Sequence, residues 1–502
     1  MSQLYEQLQP HLDKAYAYRT ALVLLSWDNS TLAPEKAVAN TSKAVAILSG
    51  ERYKALINKE VKDLLLALST DEEQEKLTVY EKAIVKSVKK QFEELELIPA
   101  EEYQEYQMLL AKSKSSWEYA KSNNDFASFA PVLKEIIDYT KKFASYKQKE
   151  GQKLYDVQLD DYAEGFTTEI LDDFFGKLRT ELVPLVLKIK EKKGFVSREF
   201  LRKTYDIDTQ KKMARFLSEY VGFDLERGVI AESMHPFTTN LHNHDVRLTS
   251  FYRENKLEYA IFCVIHETGH ALYEQDIDDE ITLTPIGGGA GMSMHESQSR
   301  LYENNFGRSR AFWKNLYAKV QEFFPEQLGE VSLEEFYGAI NYSEPGLIRT
   351  AADELTYPFH IMIRYEIEKM LFENDIDVME LPKIWNQKYE EYLGVVPEKD
   401  SEGILQDVHR SGGMLGYFPS YALGSAIAAQ LYHYMDKEMP LETYLEEGNL
   451  KPIQEFLKEH IHRFGESKTT QELLLETTGE AFNPDYYVEY LTKKYSDLYE
   501  LN

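Results

Sequence analysis

Apolar residues along this chain recur mostly at intervals of three and four. In "EEYQEYQMLLAKSKSSWEYAK", residues 101–121, that spacing puts Tyr103, Tyr106, Leu110 and Trp117 near one helix face. The same periodicity predicts helices over residues 3–25, 79–96, 128–149, 168–192, 209–221, 360–374 and 469–478. Breakers fall between the runs: "GGGAG" at 287–291, "SEPG" at 343–346 and "NPDY" at 483–486. One stretch reads differently. "NLHNHDVRLTSFY", residues 240–252, alternates Val246 and Leu248 against Arg247 and Thr249, which predicts a short strand entered through a turn at "HNHD". An exposed edge on that strand is expected to pair with an extended peptide. "LEYAIFCVIHETGHALY", residues 257–273, is apolar around much of its circumference and predicts a helix inside the core. With no repeat and no long polar linker, the expectation is a mostly α protein with a small β element, folded as one domain over residues 1–502 with two helical lobes.

Charge and cysteine content narrow the function. The chain carries 57 basic and 85 acidic residues, a formal charge of −28. Such a surface repels phosphates and anionic lipid heads, which argues against nucleic-acid and membrane roles. The single cysteine, Cys263, rules out an internal disulfide and fits a reducing compartment. The opening residues lack a basic start followed by an apolar run, and no uninterrupted apolar stretch reaches membrane-spanning length. The expected location is the cytoplasm.

"HETGH", residues 266–270, carries the chemistry. Residues four apart share a helix face, so His266 and His270 aim two imidazoles at one point, with Glu267 beside them. Two histidines holding zinc with an adjacent glutamate as general base form the zincin arrangement. The blander alternative is a pair of hydrogen-bonded core histidines. Burying three polar groups in an apolar helix costs several kcal/mol unless something compensates, which favours a metal site. Cys263, one turn earlier, reads as a small core residue and not a ligand. A catalytic zinc needs a third protein ligand and one open position. No third histidine follows in "HALYEQDIDDE", which excludes the metzincin pattern, so a carboxylate must come from later in the chain. Glu296 in "GMSMHESQSRLYENNF", 26 residues on (296 − 270), is the first choice; Glu274, Asp276 and Glu303 remain open by spacing. "GGGAG" lacks the lysine and hydroxyl of a phosphate loop and reads as a hinge.

Further motifs extend this pattern: "HPF" at 235–237, "DVRLT" at 245–249, "HESQ" at 295–298, "IRTAAD" at 348–353 and "GILQDVH" at 403–409. Together with "HETGH", and in this order, they resemble the carboxypeptidase Taq family of zinc metallocarboxypeptidases over nearly the whole chain. The family's last motif usually continues into tryptophan; here Arg410 stands in its place. The resemblance implies a mostly helical fold with a deep cleft between two lobes, a homodimer, and release of single residues from the C-termini of peptides. It also implies His266, His270 and Glu296 as ligands of one zinc per chain, with cobalt or manganese as alternatives, and Glu267 as the base.

The remaining motif residues suit that chemistry. A developing oxyanion needs a donor, for which Tyr421 is the first candidate and Tyr417 the second, with His409 nearby in sequence. A free C-terminal carboxylate is best held by a guanidinium; Arg349 is the first candidate, and Arg247 and Arg410 also lie in motif segments. His235 is expected to hydrogen-bond the substrate backbone, and Asp353 to orient a zinc-bound imidazole from behind. The rival readings are an oligopeptidase cutting internal bonds of short peptides and a non-catalytic helical peptide-binding scaffold.

Overall fold

A computed structural model describes residues 2–192, 196–374 and 376–501. The helices expected from periodicity form, with modest changes of boundary: Gln3–Thr31, Val79–Glu96, Ala100–Asn123, Phe126–Lys147, Ile207–Val221, Tyr357–Glu373 and Thr470–Thr478. Of the predicted face on Ala100–Asn123, Tyr103 is exposed. The 168–192 run is one helical stretch with a π turn at Leu178–Leu182 between α segments. No described helix is long and apolar enough to cross a membrane.

The chain divides into two compact units. The first comprises Met1–Leu95, Arg198–Tyr337 and Tyr434–Glu480; the second comprises Glu96–Ser197, Gly338–His433 and Ala481–Asn502.

In the first unit, Leu8, Leu12, Val61, Leu65, Val85, Val88, Ile281 and Ile286 form a continuous apolar core. The unit also holds a three-stranded sheet. Strands β1 (Gly228–Glu232), β2 (Thr238–His242) and β3 (Asp245–Ser250) lie in the order β1-β3-β2. The tight turn at Asn243 and His244 returns β3 antiparallel to β2, as "HNHD" predicts, while β1 joins from the other side in parallel, Gly228 opposite Val246. The expected open edge on β3 is therefore absent: that strand is the middle one, with ladder partners on both sides. Alternation along one strand reports which residues face inward, but not how many neighbours the strand acquires.

The "HETGH" segment lies in the helix Leu257–Gln275, buried along nearly its whole length. It crosses the helix Gly291–Arg300 at very short range. A Cβ on Gly269 would stand 2.7 Å from Ser299 Cα and 2.8 Å from the Gln298 carbonyl oxygen. Only glycine permits that approach, which brings Glu296 to the two histidines.

The second unit packs around aromatic residues. Phe175 stacks on Tyr365 with ring centroids 4.9 Å apart, and Trp385 stacks on Tyr389 at 5.2 Å.

Candidate active site

His266 and His270 sit one turn apart on the same helix face, their rings 4.9 Å apart. Oε2 of Glu296 lies 3.8 Å from His266 Nε2 and 3.5 Å from His270 Nε2. These three residues form a group whose candidate ligand atoms all lie within 4.8 Å of one another. Ligand atoms about 2.0–2.1 Å from a tetrahedral zinc stand about 3.4 Å from each other, so the spacing fits such an ion with little adjustment. Two imidazoles and a carboxylate also suit zinc chemically. Arg300 Nε donates to the other Glu296 oxygen at 2.7 Å, which leaves Oε2 turned towards the imidazoles.

Electrostatics favours the metal-binding protonation state in two of these three groups, Glu296 and His270. Burial raises the pKa of the Glu296 carboxyl, but the charges of Arg300 and His266 outweigh that and hold it below the usual range. Burial presses His270 down to about 3, so its imidazole is neutral, as a ligand must be. His266 moves upward: burial lowers it, but Glu296 and Glu303 outweigh burial.

Glu267 is 7% exposed, and its Oε2 accepts a hydrogen bond from Thr238 Oγ1 at 2.7 Å. Burial raises its pKa, which makes this carboxylate a stronger base than one in water. Thr238 escaped the sequence reading. The signal was its place directly after "HPF" at the start of β2.

The other carboxylates left open by spacing have different work. Glu303 Oε2 lies 2.8 Å from His266 Nδ1, the side of that ring facing away from Glu296. Glu274 Oε1 lies 2.6 Å from Nε2 of His295. Asp276 Oδ2 is 3.2 Å from His462 Nδ1. Asp353, expected behind a zinc-bound imidazole, is not there. Its carboxylate accepts from the backbone N–H groups of Glu344 at 3.1 Å and of Leu355 and Thr356 at 3.0 Å, and from Thr356 Oγ1 at 2.8 Å. It closes the turn that starts the Tyr357–Glu373 helix. The Nδ1 atoms of His266 and His270 face Glu303 and His295 instead.

Arg247 forms a paired hydrogen bond with Asp245, both contacts 2.7 Å, and its guanidinium lies 5.7 Å from the Trp27 ring centre. His235 lies exposed between β1 and β2.

The second unit brings Arg349, His409, Tyr417 and Tyr421 together. Arg349 is 7% exposed; its Nε donates to Asp407 Oδ1 at 3.0 Å and its Nη1 to the Tyr357 hydroxyl at 3.3 Å. Its guanidinium carbon lies 5.0 Å from the Tyr421 ring centre. The Tyr421 hydroxyl is 3.5 Å from His409 Nε2, and the Tyr417 ring is 5.2 Å from the Tyr421 ring. Burial lowers His409 to about 4, with Arg349 adding to the effect, so that imidazole is neutral at physiological pH. Arg410 is buried, its Nε 3.5 Å from the fully buried carboxylate of Glu368. The Asp407 carboxylate also accepts from Arg364 Nε at 2.7 Å.

Comparison with known proteins agrees over the full length. The family model for the carboxypeptidase Taq (M32) metallopeptidases matches residues 7–495. Carboxypeptidase 1 of Bacillus subtilis is 41% identical over 485 residues, covering 96% of each chain. Thermostable carboxypeptidase 1 of Pyrococcus furiosus is 34% identical, covering 98% of each. Among solved structures, the M32 carboxypeptidase from Deinococcus radiodurans R1 superposes with a TM-score of 0.95 at 34% identity, over 99% of this chain and 100% of that one. Trypanosoma cruzi metallocarboxypeptidase 1 does so with a TM-score of 0.93 at 34% identity, over 98% and 99%. Motifs, helical architecture and full-length similarity lead to one conclusion: the chain belongs to the carboxypeptidase Taq (M32) family of metallopeptidases.

Proposed function

We propose that this metal-dependent carboxypeptidase holds one zinc ion on His266, His270 and Glu296, and releases single amino acids from the free C-termini of peptides. The observation that carries the reading is the convergence of two Nε2 atoms and Glu296 Oε2, 3.8 and 3.5 Å apart, beside the buried carboxylate of Glu267. An ion held there supplies Lewis acidity, polarising a carbonyl and making water a nucleophile near neutral pH. Glu267, steadied by Thr238, takes a proton from the attacking water and returns it to the leaving amine as the carbon–nitrogen bond breaks. Tyr421, with Tyr417 as the second choice, donates to the oxyanion. Arg349 takes the terminal carboxylate. Its rigid environment supports that role, because two of its nitrogens are already fixed by Asp407 and Tyr357. Arg247, His235 and His409 are assigned to the rest of the substrate. Cobalt and manganese are the alternative metals.

Residues 1–502 are taken as one domain. The cytoplasm is the proposed location, supported by the single cysteine. The homodimer rests on the family resemblance and is checked by sedimentation. The decisive experiment compares an N-blocked dipeptide with its C-terminal amide, with metal content and peptide products measured alongside. Hydrolysis of the free acid with release of one residue is expected. Equal rates on the amide would replace the reading with that of an internal-bond oligopeptidase.

A further inference from the structure

The two histidines of the "HETGH" helix are braced in different ways. His266 Nδ1 meets a carboxylate directly, Glu303 Oε2 at 2.8 Å. His270 Nδ1 meets a second imidazole, Nδ1 of His295 at 2.6 Å, and the far nitrogen of that ring, Nε2, lies 2.6 Å from Glu274 Oε1. Two ring nitrogens at that distance share one hydrogen: with none, two lone pairs collide, and with two, two N–H groups collide. A ligand bond from His270 Nε2 leaves the hydrogen of that ring on Nδ1. His270 Nδ1–H therefore donates to His295 Nδ1, which puts the hydrogen of His295 on Nε2, pointing at Glu274.

Glu274 is built to receive it. The residue is 5% exposed; its Oε1 also accepts from the Gly289 N–H at 3.1 Å, and its Oε2 accepts from the side-chain amide of Asn240. Asn240 Oδ1 in turn accepts from Arg19 Nη2 at 2.8 Å, which fixes the amide's orientation. The glycine-rich loop serves the same arrangement. A Cβ on Gly289 would stand 2.7 Å from His295 Cδ2 and 2.8 Å from Tyr273 Cε1, so the backbone there is bare where the His295 ring lies against it.

We infer that His295 and Glu274 are positioning residues for metal binding. Through an imidazole relay ending on a buried carboxylate, they hold His270 in its Nδ1–H form with Nε2 turned towards the metal. The inference rests on His266, His270 and Glu296 being the ligands. It assigns the histidine of "HESQ" a role of its own, next to the ligand Glu296, and gives "GGGAG" a purpose other than hinging.

The test is zinc affinity of the full-length, metal-stripped protein, measured against a competing chelator, with cobalt absorption as a report on coordination geometry. His295→Phe keeps the ring but offers no acceptor, and is expected to bind zinc 10- to 100-fold more weakly with altered cobalt bands. His295→Asn places an oxygen near the position of Nδ1 and is expected to recover most of the loss, which a purely structural role for the ring would not predict. Native zinc affinity and a native cobalt spectrum in His295→Phe would overturn the inference. If that variant does not fold, Glu274→Gln decides: weaker zinc supports the relay and unchanged zinc overturns it. A wild-type protein that takes up no zinc, or a His270→Ala variant that binds it normally, would instead overturn the underlying ligand assignment.

Discussion

Replacing Gly269 by alanine tests how the proposed ligands His266, His270 and Glu296 are brought together. The added methyl would stand 2.7 Å from Ser299 Cα and 2.8 Å from Gln298 O, both backbone atoms that cannot rotate away. Carbon atoms in contact prefer about 3.5–4.0 Å, so the two helices must part by about 1 Å. One helix carries His266 and His270 and the other carries Glu296, so their spacings of 3.8 and 3.5 Å stretch with the shift, away from the roughly 3.4 Å that tetrahedral zinc prefers. Overpacking of this kind costs about 1–3 kcal/mol. Strain of that size in the bound state lowers zinc affinity about 5- to 150-fold, and a misplacement of about 1 Å lowers turnover roughly 100-fold. Zinc titration, thermal melting by circular dichroism and dipeptide hydrolysis read the three effects. A Gly269→Ala protein with the native melting midpoint and native zinc affinity would refute the argument that this contact sets the ligand spacing.

Glu267→Gln is expected to keep metal and fold while activity falls by about 10²–10⁴-fold, measured as turnover at native zinc content; near-normal turnover would remove Glu267 as the base. Arg349→Lys loses the planar fork, and KM for a free-acid dipeptide is expected to rise by an amount corresponding to about 2–5 kcal/mol, with the amide unaffected. Asp407, which Arg364 still holds, keeps the fold intact in that variant. Asp407 itself makes stability pH-dependent: burial raises its pKa, but Arg364 and Arg349 outweigh burial and hold it below the ordinary value. A depressed carboxyl stabilises the folded state above the unfolded pKa of about 3.9 and loses that contribution as pH falls further. The gap in urea midpoint between wild type and Asp407→Asn should therefore be widest near neutral pH and shrink below about pH 4; a constant gap from pH 6 to 3 would contradict this.

The helices were legible because their apolar spacing is a local property, and so was the pair His266 and His270, fixed by the pitch of one helix. Glu296 was legible as one of four carboxylates at suitable separations, but spacing alone did not show which of them would face the two Nε2 atoms. Glu303 and Glu274 turned out to stand behind imidazoles, His266 and His295, an outcome decided by how two helices cross. Asp353 misled because "IRTAAD" drew attention to its charge. The residues after it, "ELTYP", carry the pattern of a helix start, with acceptor, threonine and proline, and that local role is the one it fills. The middle position of β3 was hidden because its partner β1 pairs with it in parallel and is separated from it in sequence by β2, which leaves no hairpin signal.

Cys263 has a practical consequence. Burial, with Glu267 second, pushes its thiol well above the ordinary range, and Ser250 Oγ lies 3.7 Å from the sulfur. Little thiolate exists at neutral pH, so alkylating reagents should pass this residue by. With only one sulfhydryl in the whole chain, and that one held as the thiol, the native protein is expected to be a clean background for attaching spectroscopic probes at introduced cysteines. Paired labels, one in each compact unit, would then report during turnover any motion that peptide substrates induce.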